Sequence, residues 1–202
     1  AIHSRNLMES NQTFDGFVAA PRLSLCRRGR RRPRGESSDM SMMVTTAPCC
    51  WGVDDIANPH LPDWRLVLDE VAAAGYGGLE LGPYGYMPLD AASVSAELRA
   101  RRLYIVAGTI FDNLVDPGNR IRLLRQTHEI CALITQLPKP PLAPGQRVEA
   151  PYLTVMDWGH DERDFAAGHA ERAPRLDDAA WAGMVGNIRA IASICAWRAA
   201  TA

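Results

Sequence analysis

From residue 44 onward the chain repeats one unit four times, a short β-prone run followed by a helix with a single apolar face, and that alternation restricts the fold most. The first run is Val44-Thr45-Thr46-Ala47-Pro48-Cys49-Cys50-Trp51-Gly52, read as a strand closed by glycine. Asp63 opens the first helix, whose Trp64, Val67, Leu68 and Val71 keep the i, i+3, i+4, i+7 spacing until Gly75 stops it. In the second unit Gly77-Gly78-Leu79-Glu80-Leu81-Gly82 is the strand, and a helix over about 90–101 carries Ala91, Val94 and Leu98 on one side. The third has Leu103-Tyr104-Ile105-Val106-Ala107-Gly108-Thr109 as strand. Asp116-Pro117 then supplies an N-cap and a first-turn proline for a helix reaching about Leu137. In the fourth, Tyr152-Leu153-Thr154-Val155-Met156-Asp157 precedes a helix from Asp177. Leu176 and Trp181 are spaced as its hydrophobic staple, and Met184, Val185, Ile188, Ile191, Ala192 and Cys195 form its apolar face.

Such a βαβαβαβα series predicts an α/β protein with a parallel sheet and helices outside it. Four units are half of a (β/α)8 barrel, which needs about 250 residues, or most of a small doubly wound sheet. No glycine-rich phosphate turn of the GxGxxG or GxxxxGK[ST] kind follows the first strand, which counts against the second option. The proline-rich insert Pro138-Lys139-Pro140-Pro141-Leu142-Ala143-Pro144-Gly145 falls between a helix end and a strand start. In a barrel that is the face opposite the active site.

With 47% hydrophobic and 22% charged residues, 202 residues suffice for one domain with a sizeable core. The net charge of −1 hides two unlike regions: residues 1–43 hold eight arginines against four acids, and residues 44–202 hold fourteen bases against nineteen acids. The first region contains Arg27-Arg28-Gly29-Arg30-Arg31-Arg32-Pro33-Arg34 without a helical or strand period, and is expected to be a disordered leader. A nucleic-acid arm or a transit sequence is the functional alternative; Met40, Met42 and Met43 beside the first ordered run favour an upstream extension of the natural start. Five cysteines without a CxxC pair indicate neither a disulfide framework nor a zinc site, and fit reduced thiols in a cytoplasmic protein. No apolar run approaches the roughly 18 residues of a membrane span, so no membrane partner is expected, and the acid excess of residues 44–202 argues against a nucleic-acid partner.

Trp51-Gly52-Val53, Leu61-Pro62-Asp63-Trp64, Asp69-Glu70 and Gly75-Tyr76-Gly77-Gly78-Leu79-Glu80-Leu81-Gly82-Pro83-Tyr84-Gly85-Tyr86 resemble the xylose isomerase-like TIM barrels. Within these they are most similar to the sugar phosphate isomerase/epimerase branch, in which the myo-inosose-2 dehydratases belong. Gly108-Thr109-Ile110-Phe111 and Ala173-Pro174-Arg175-Leu176-Asp177-Asp178-Ala179-Ala180-Trp181 look similar to the same branch, so the resemblance extends over roughly 44–197. It implies a divalent-metal enzyme acting on a sugar or polyol by proton abstraction beside a carbonyl, followed by isomerisation, epimerisation or loss of water. It also implies that the metal ligands come largely from strands five to eight. The expectation is therefore a partial (β/α)8 TIM barrel over 44–202, an N-terminal half to which no metal ligand is assigned.

Catalytic groups of such barrels stand at the C-terminal ends of strands, and that filter selects the candidates. Glu80 ends the second strand and could act as a base or orient a hydroxyl; an acid paired with an arginine is the competing reading. Trp51 could wall a sugar ring, Thr109 could donate a hydrogen bond to substrate, and Asp157 could bind a hydroxyl. His160, in the cluster Trp158-Gly159-His160-Asp161-Glu162, is the nearest thing to a metal ligand, although contiguous loop acids are usually solvated. Tyr84 and Tyr86 could line the barrel mouth. Cys49 and Cys50, taken as neighbours on a strand, point to opposite faces, and His128 falls on the apolar stripe of helix three. Three functions compete, the third expected of this polypeptide and the first of its ancestry. The first is an isomerase-type enzyme. The second is an endonuclease-like member of the same superfamily, which needs a basic groove. The third is an inactive half-barrel that self-associates through open sheet edges.

Overall fold

A computed structural model of the chain describes residues 42–158, 160–166 and 168–201, so nearly all of the expected leader lies outside the described residues. Strand β1 (Thr45–Thr46) leads to helix α1 (Trp64–Ala73), β2 (Gly78–Glu80) to α2 (Ala91–Arg101), and β3 (Tyr104–Asp112) to α3 (Arg120–Ile134). β4 (Tyr152–Asp157) leads to a four-residue helical turn α4 (Asp161–Asp164) and then to the long α5 (Asp178–Thr201). All strands are parallel and lie in the order β1-β2-β3-β4. The mixed α/β class with a parallel sheet is as the sequence implies.

Helix starts obey local chemistry. The Asp63 carboxylate accepts from the Arg65 N–H, Asp90 accepts from the N–H groups of Ala92 and Ser93, and Asp116 accepts from that of Gly118. Pro117 starts a 3-10 turn, Pro117–Asn119, before α3 proper. The helices then bury their expected stripes in one core: Val67, Leu68 and Val71 of α1, Val94 and Leu98 of α2, and Leu123, Ile130 and Leu133 of α3. From the sheet this core receives Leu79, Ile105 and Ile110.

A register shift divides the sheet faces. Leu79 pairs with Ile105 but Glu80 pairs with Ala107, so β3 carries one extra residue there. Beyond the bulge Gly108 and Ile110 turn toward the helices, and a Cβ on Gly108 would run into Cγ2 of Ile130 on α3. Ala107, Thr109 and Phe111 share the opposite face with Glu80, and through the β3–β4 register so do Tyr152, Thr154 and Met156.

Four readings of the sequence need correction. β1 is two residues long, because Pro48 fixes a helical φ and opens a 3-10 turn, Pro48–Trp51, closed by Gly52 at φ 73°. Cys49 and Cys50 therefore lie on that turn, both exposed, and not on a strand. His128 is exposed, and the buried position beside it is Thr127, whose hydroxyl donates to the Leu123 carbonyl at 2.7 Å. On α5 the inward line is Met184, Asn187, Ile191 and Cys195, while Ile188 is 40% exposed and the staple residue Trp181 59%. Apolar residues surround that helix, so periodicity could not choose a face. The stretch Asp178–Arg198 has a mean hydropathy of 1.2 and is long and apolar enough to cross a membrane, contrary to the expectation that no such run exists. It packs against α3 here. Arg120 donates to the Asn187 side-chain oxygen at 2.7 Å, and the Cys131 and Cys195 sulfurs touch.

Candidate functional site

All four strand-to-helix junctions contribute to one cleft of about 560 Å3. Asp54 and Asp55 come from the loop after β1, Tyr84 follows β2, Thr109, Phe111 and Asp112 come from the end of β3, and Trp158 follows β4. Arg122 and Gln126 reach in from α3. The cleft thus occupies the carboxyl ends of a parallel sheet, the usual place for a ligand in such folds.

Its floor is held by short-range hydrogen bonds that the sequence dictates. The Asp112 carboxylate accepts from its neighbour's N–H, Asn113, at 2.8 Å and from the Arg122 guanidinium at 2.7 Å. Asn113 accepts from the N–H groups of Val115 and Asp116, and Asn119 donates to the Asn113 carbonyl. Asx turns of this kind give a loop one conformation without apolar burial. Across the cleft, Phe111 and Trp158 stack with ring centroids 5.3 Å apart and planes at 30°. Both rings remain about half exposed, at 47% and 49%.

The expected site residues separate into two groups. Thr109, 7% exposed, lines the cleft, and its hydroxyl donates to Glu80 Oε2 at 3.4 Å. Glu80 stands directly behind it on β2. Tyr84 lines the cleft too, with its hydroxyl donating to Glu129 on α3; that bond pushes the phenol above its ordinary range. The others point elsewhere. Trp51 donates its indole N–H to Glu70 on α1 at 2.6 Å and packs on the core below the sheet. Tyr86 donates to the Pro62 carbonyl at 3.1 Å. Asp157 alternates with Leu153 and Val155, which pack on the helix side. Its Oδ1 accepts from the Leu114 N–H at 2.8 Å, and its Oδ2 lies 3.0 Å from His160 Nε2 without hydrogen-bond alignment. Asp157 and His160 are thus brought together, apart from Glu80 and Thr109. His160 lines a separate, shallower cleft of about 360 Å3 with α4 and Arg175.

Sequence reasoning missed Asp54, Asp55, Phe111, Asp112, Arg122 and Gln126. The signal for two of them was present: Ile110-Phe111 continues the β-prone run after Thr109, which extends the strand to a polar Asp112. For a divalent metal, no three His, Cys, Asp or Glu side chains among the described residues gather to hold an ion. Glu80 is engaged by a hydroxyl, Asp112 by a guanidinium and a backbone N–H, and Asp157 by a backbone N–H and an imidazole. This donor set does not fit a cation. No protein-family model matches the chain, and no curated protein sequence does so.

Proposed function

We propose that residues 44–201 are a four-unit segment of a xylose isomerase-like (β/α)8 barrel whose cleft binds an unphosphorylated sugar or polyol, in an isomerase, epimerase or dehydratase type of reaction. The sequential strand order supports the barrel reading. In a doubly wound sheet the order reverses at the ligand crevice, whereas each right-handed crossover of a barrel steps to the next strand on the same side. The observation that carries the ligand class is the half-exposed Phe111–Trp158 stack beside Asp112, Arg122 and Gln126. A sugar ring offers C–H faces to aromatic rings and hydroxyls to planar donors and acceptors, and this cleft supplies both.

Charge favours a neutral ligand. Asp54, Asp55 and Asp112 line the cleft with Arg122, which is already paired to Asp112. A phosphate would meet net negative charge, and the same imbalance disfavours an endonuclease-like groove. Glu80, oriented by Thr109, is the carboxylate nearest the role of a base for a proton beside a carbonyl.

The test is an amide NMR titration of the full chain with inositols and keto sugars and with their phosphate esters. Saturable shifts at Phe111, Asp112 and Trp158 with the neutral compounds, weakened in Trp158→Ala, are expected. Tighter binding of the phosphorylated series, or no saturable shift up to ligand solubility, would overturn the reading.

A further inference from the structure

We propose that Cys131 and Cys195 form a peroxide-sensitive dithiol that closes to a disulfide and locks α5 onto α3. The two sulfurs lie 3.6 Å apart, in van der Waals contact, on helices 64 residues distant in sequence. A disulfide bond is about 2.05 Å long. Closure therefore asks for a movement of about 1.6 Å between side chains that already meet, which χ1 rotation and a slight helix shift can supply. Other contacts tie the same helix pair: Arg120 holds Asn187, and the His128 ring meets Trp197 edge-on at 6.3 Å. The sulfurs are thus positioned by helix packing and not by a mobile loop.

Access and electrostatics agree. Both sulfurs border a cleft of about 460 Å3, into which Lys139, Arg147 and Arg198 bring positive charge against Glu149. Cys131 is 3% exposed, whereas Cys195 is half-buried and meets the cleft more openly. Because the Cys131 thiol can donate to a Cys195 thiolate, the first proton of the pair leaves below the ordinary thiol range and the second is held above it. Cys195 is accordingly the attacking sulfur and Cys131 the resolving one.

The chemistry balances with hydrogen peroxide as the oxidant. The Cys195 thiolate attacks one peroxide oxygen, forming an S–O bond and breaking the O–O bond. The departing hydroxide takes up the pair's released proton to give water. Cys131 then attacks the sulfenic sulfur, forming the S–S bond, and the hydroxyl leaves with the Cys131 proton as a second water. Two thiols are oxidised by two electrons and one peroxide is reduced to two waters. The cleft borders the first residues of β4, Tyr152 and Leu153, at the sheet end opposite the candidate site, so the lock acts on α5 and not on the ligand cleft.

The experiment uses the full chain with Cys26, Cys49 and Cys50 replaced by serine, leaving the two helix cysteines. Peroxide should remove both titratable thiols, yield a Cys131–Cys195 cross-linked peptide in one chain, and raise the urea midpoint relative to the dithiothreitol-treated protein. Adding Cys131→Ser should leave Cys195 to accumulate as a dimedone-trapped sulfenic acid while the circular dichroism spectrum stays helical. Retention of both thiols in the folded protein would overturn the proposal. Cross-links found only between chains, or Cys195 advancing to the sulfinic acid with Cys131 untouched, would do so equally.

Discussion

Thr109 donates its hydroxyl to Glu80 Oε2 across 3.4 Å, so side chains of two neighbouring strands meet on the sheet face turned away from the helices. The bulge in β3 makes this meeting happen. Without the extra residue, Thr109 would sit on the helix side with Leu79, and Glu80 would lose its donor.

On the proposed function, Glu80→Gln should keep the Thr109 contact and the shape of the cleft while removing the base. Solvent deuterium uptake beside the carbonyl of a bound keto sugar should fall by about 100-fold or more, as loss of a general base does, with binding within a few-fold of the parent. Equal loss of binding and exchange would make Glu80 a ligand holder.

Asp157 is expected to behave as a loop anchor. It ties the end of β4 to Leu114, in the loop that forms the cleft floor. Asp157→Asn keeps an acceptor for that N–H and should cost well under the about 1–3 kcal/mol expected for Asp157→Ala, which leaves the group unpaired. Urea denaturation of both variants checks this. A large, equal loss in ligand affinity without loss of stability would instead return Asp157 to the ligand.

The repeat pattern was legible because each helix carries its own cap and stripe, as Asp63 with Val67, Leu68 and Val71 shows, and β4 lies where its β-branched run ends at Asp157. Less could be read where local signals compete. Pro48 converted most of the first β-prone run to a 3-10 turn, and the Ala- and Ile-rich α5 offers apolar residues at every angle. The candidate site was only partly legible. Glu80 and Thr109 share one sheet face and a hydrogen bond beyond the bulge, but Trp51 and Asp157 passed the same end-of-strand filter and turn to the helix side. Position along a strand does not report which face a side chain takes once a bulge or a turn has shifted the alternation.

Asn187 settles which side of α5 faces inward. It is 3% exposed, accepts from Arg120 at 2.7 Å and donates to the Leu114 carbonyl at 2.8 Å. Asn187→Ala leaves a buried carbonyl and a guanidinium short of partners and opens a void. A loss of about 2–3 kcal/mol is expected by chemical denaturation. Asn187→Leu fills the space and should still lose at least about 1 kcal/mol, because the Leu114 carbonyl stays unpaired. If leucine stabilised the protein, α5 would be held by apolar packing alone.

Tyr86 makes stability fall in alkaline solution. Its ring packs on the core and its hydroxyl donates to the Pro62 carbonyl at 3.1 Å. Burial, with Asp63 nearby adding repulsion, pushes the phenol from 10.0 up to about 12. Below about 10 the group is neutral in both folded and unfolded chains, and its contribution is complete. As pH rises from 10 the unfolded chain loses this proton first, so it binds fewer protons than the native state and stability declines with pH; past about 12 both forms are ionised and the decline from this group ends. Tyr84, also raised by its bond to Glu129, adds to the slope in the same direction. The urea midpoint should therefore drop between about pH 10 and about pH 12, and Tyr86→Phe should flatten that drop more than Tyr84→Phe does, since the deeper group has the larger shift. An unchanged slope in Tyr86→Phe would mean that its hydroxyl reaches water in the folded chain.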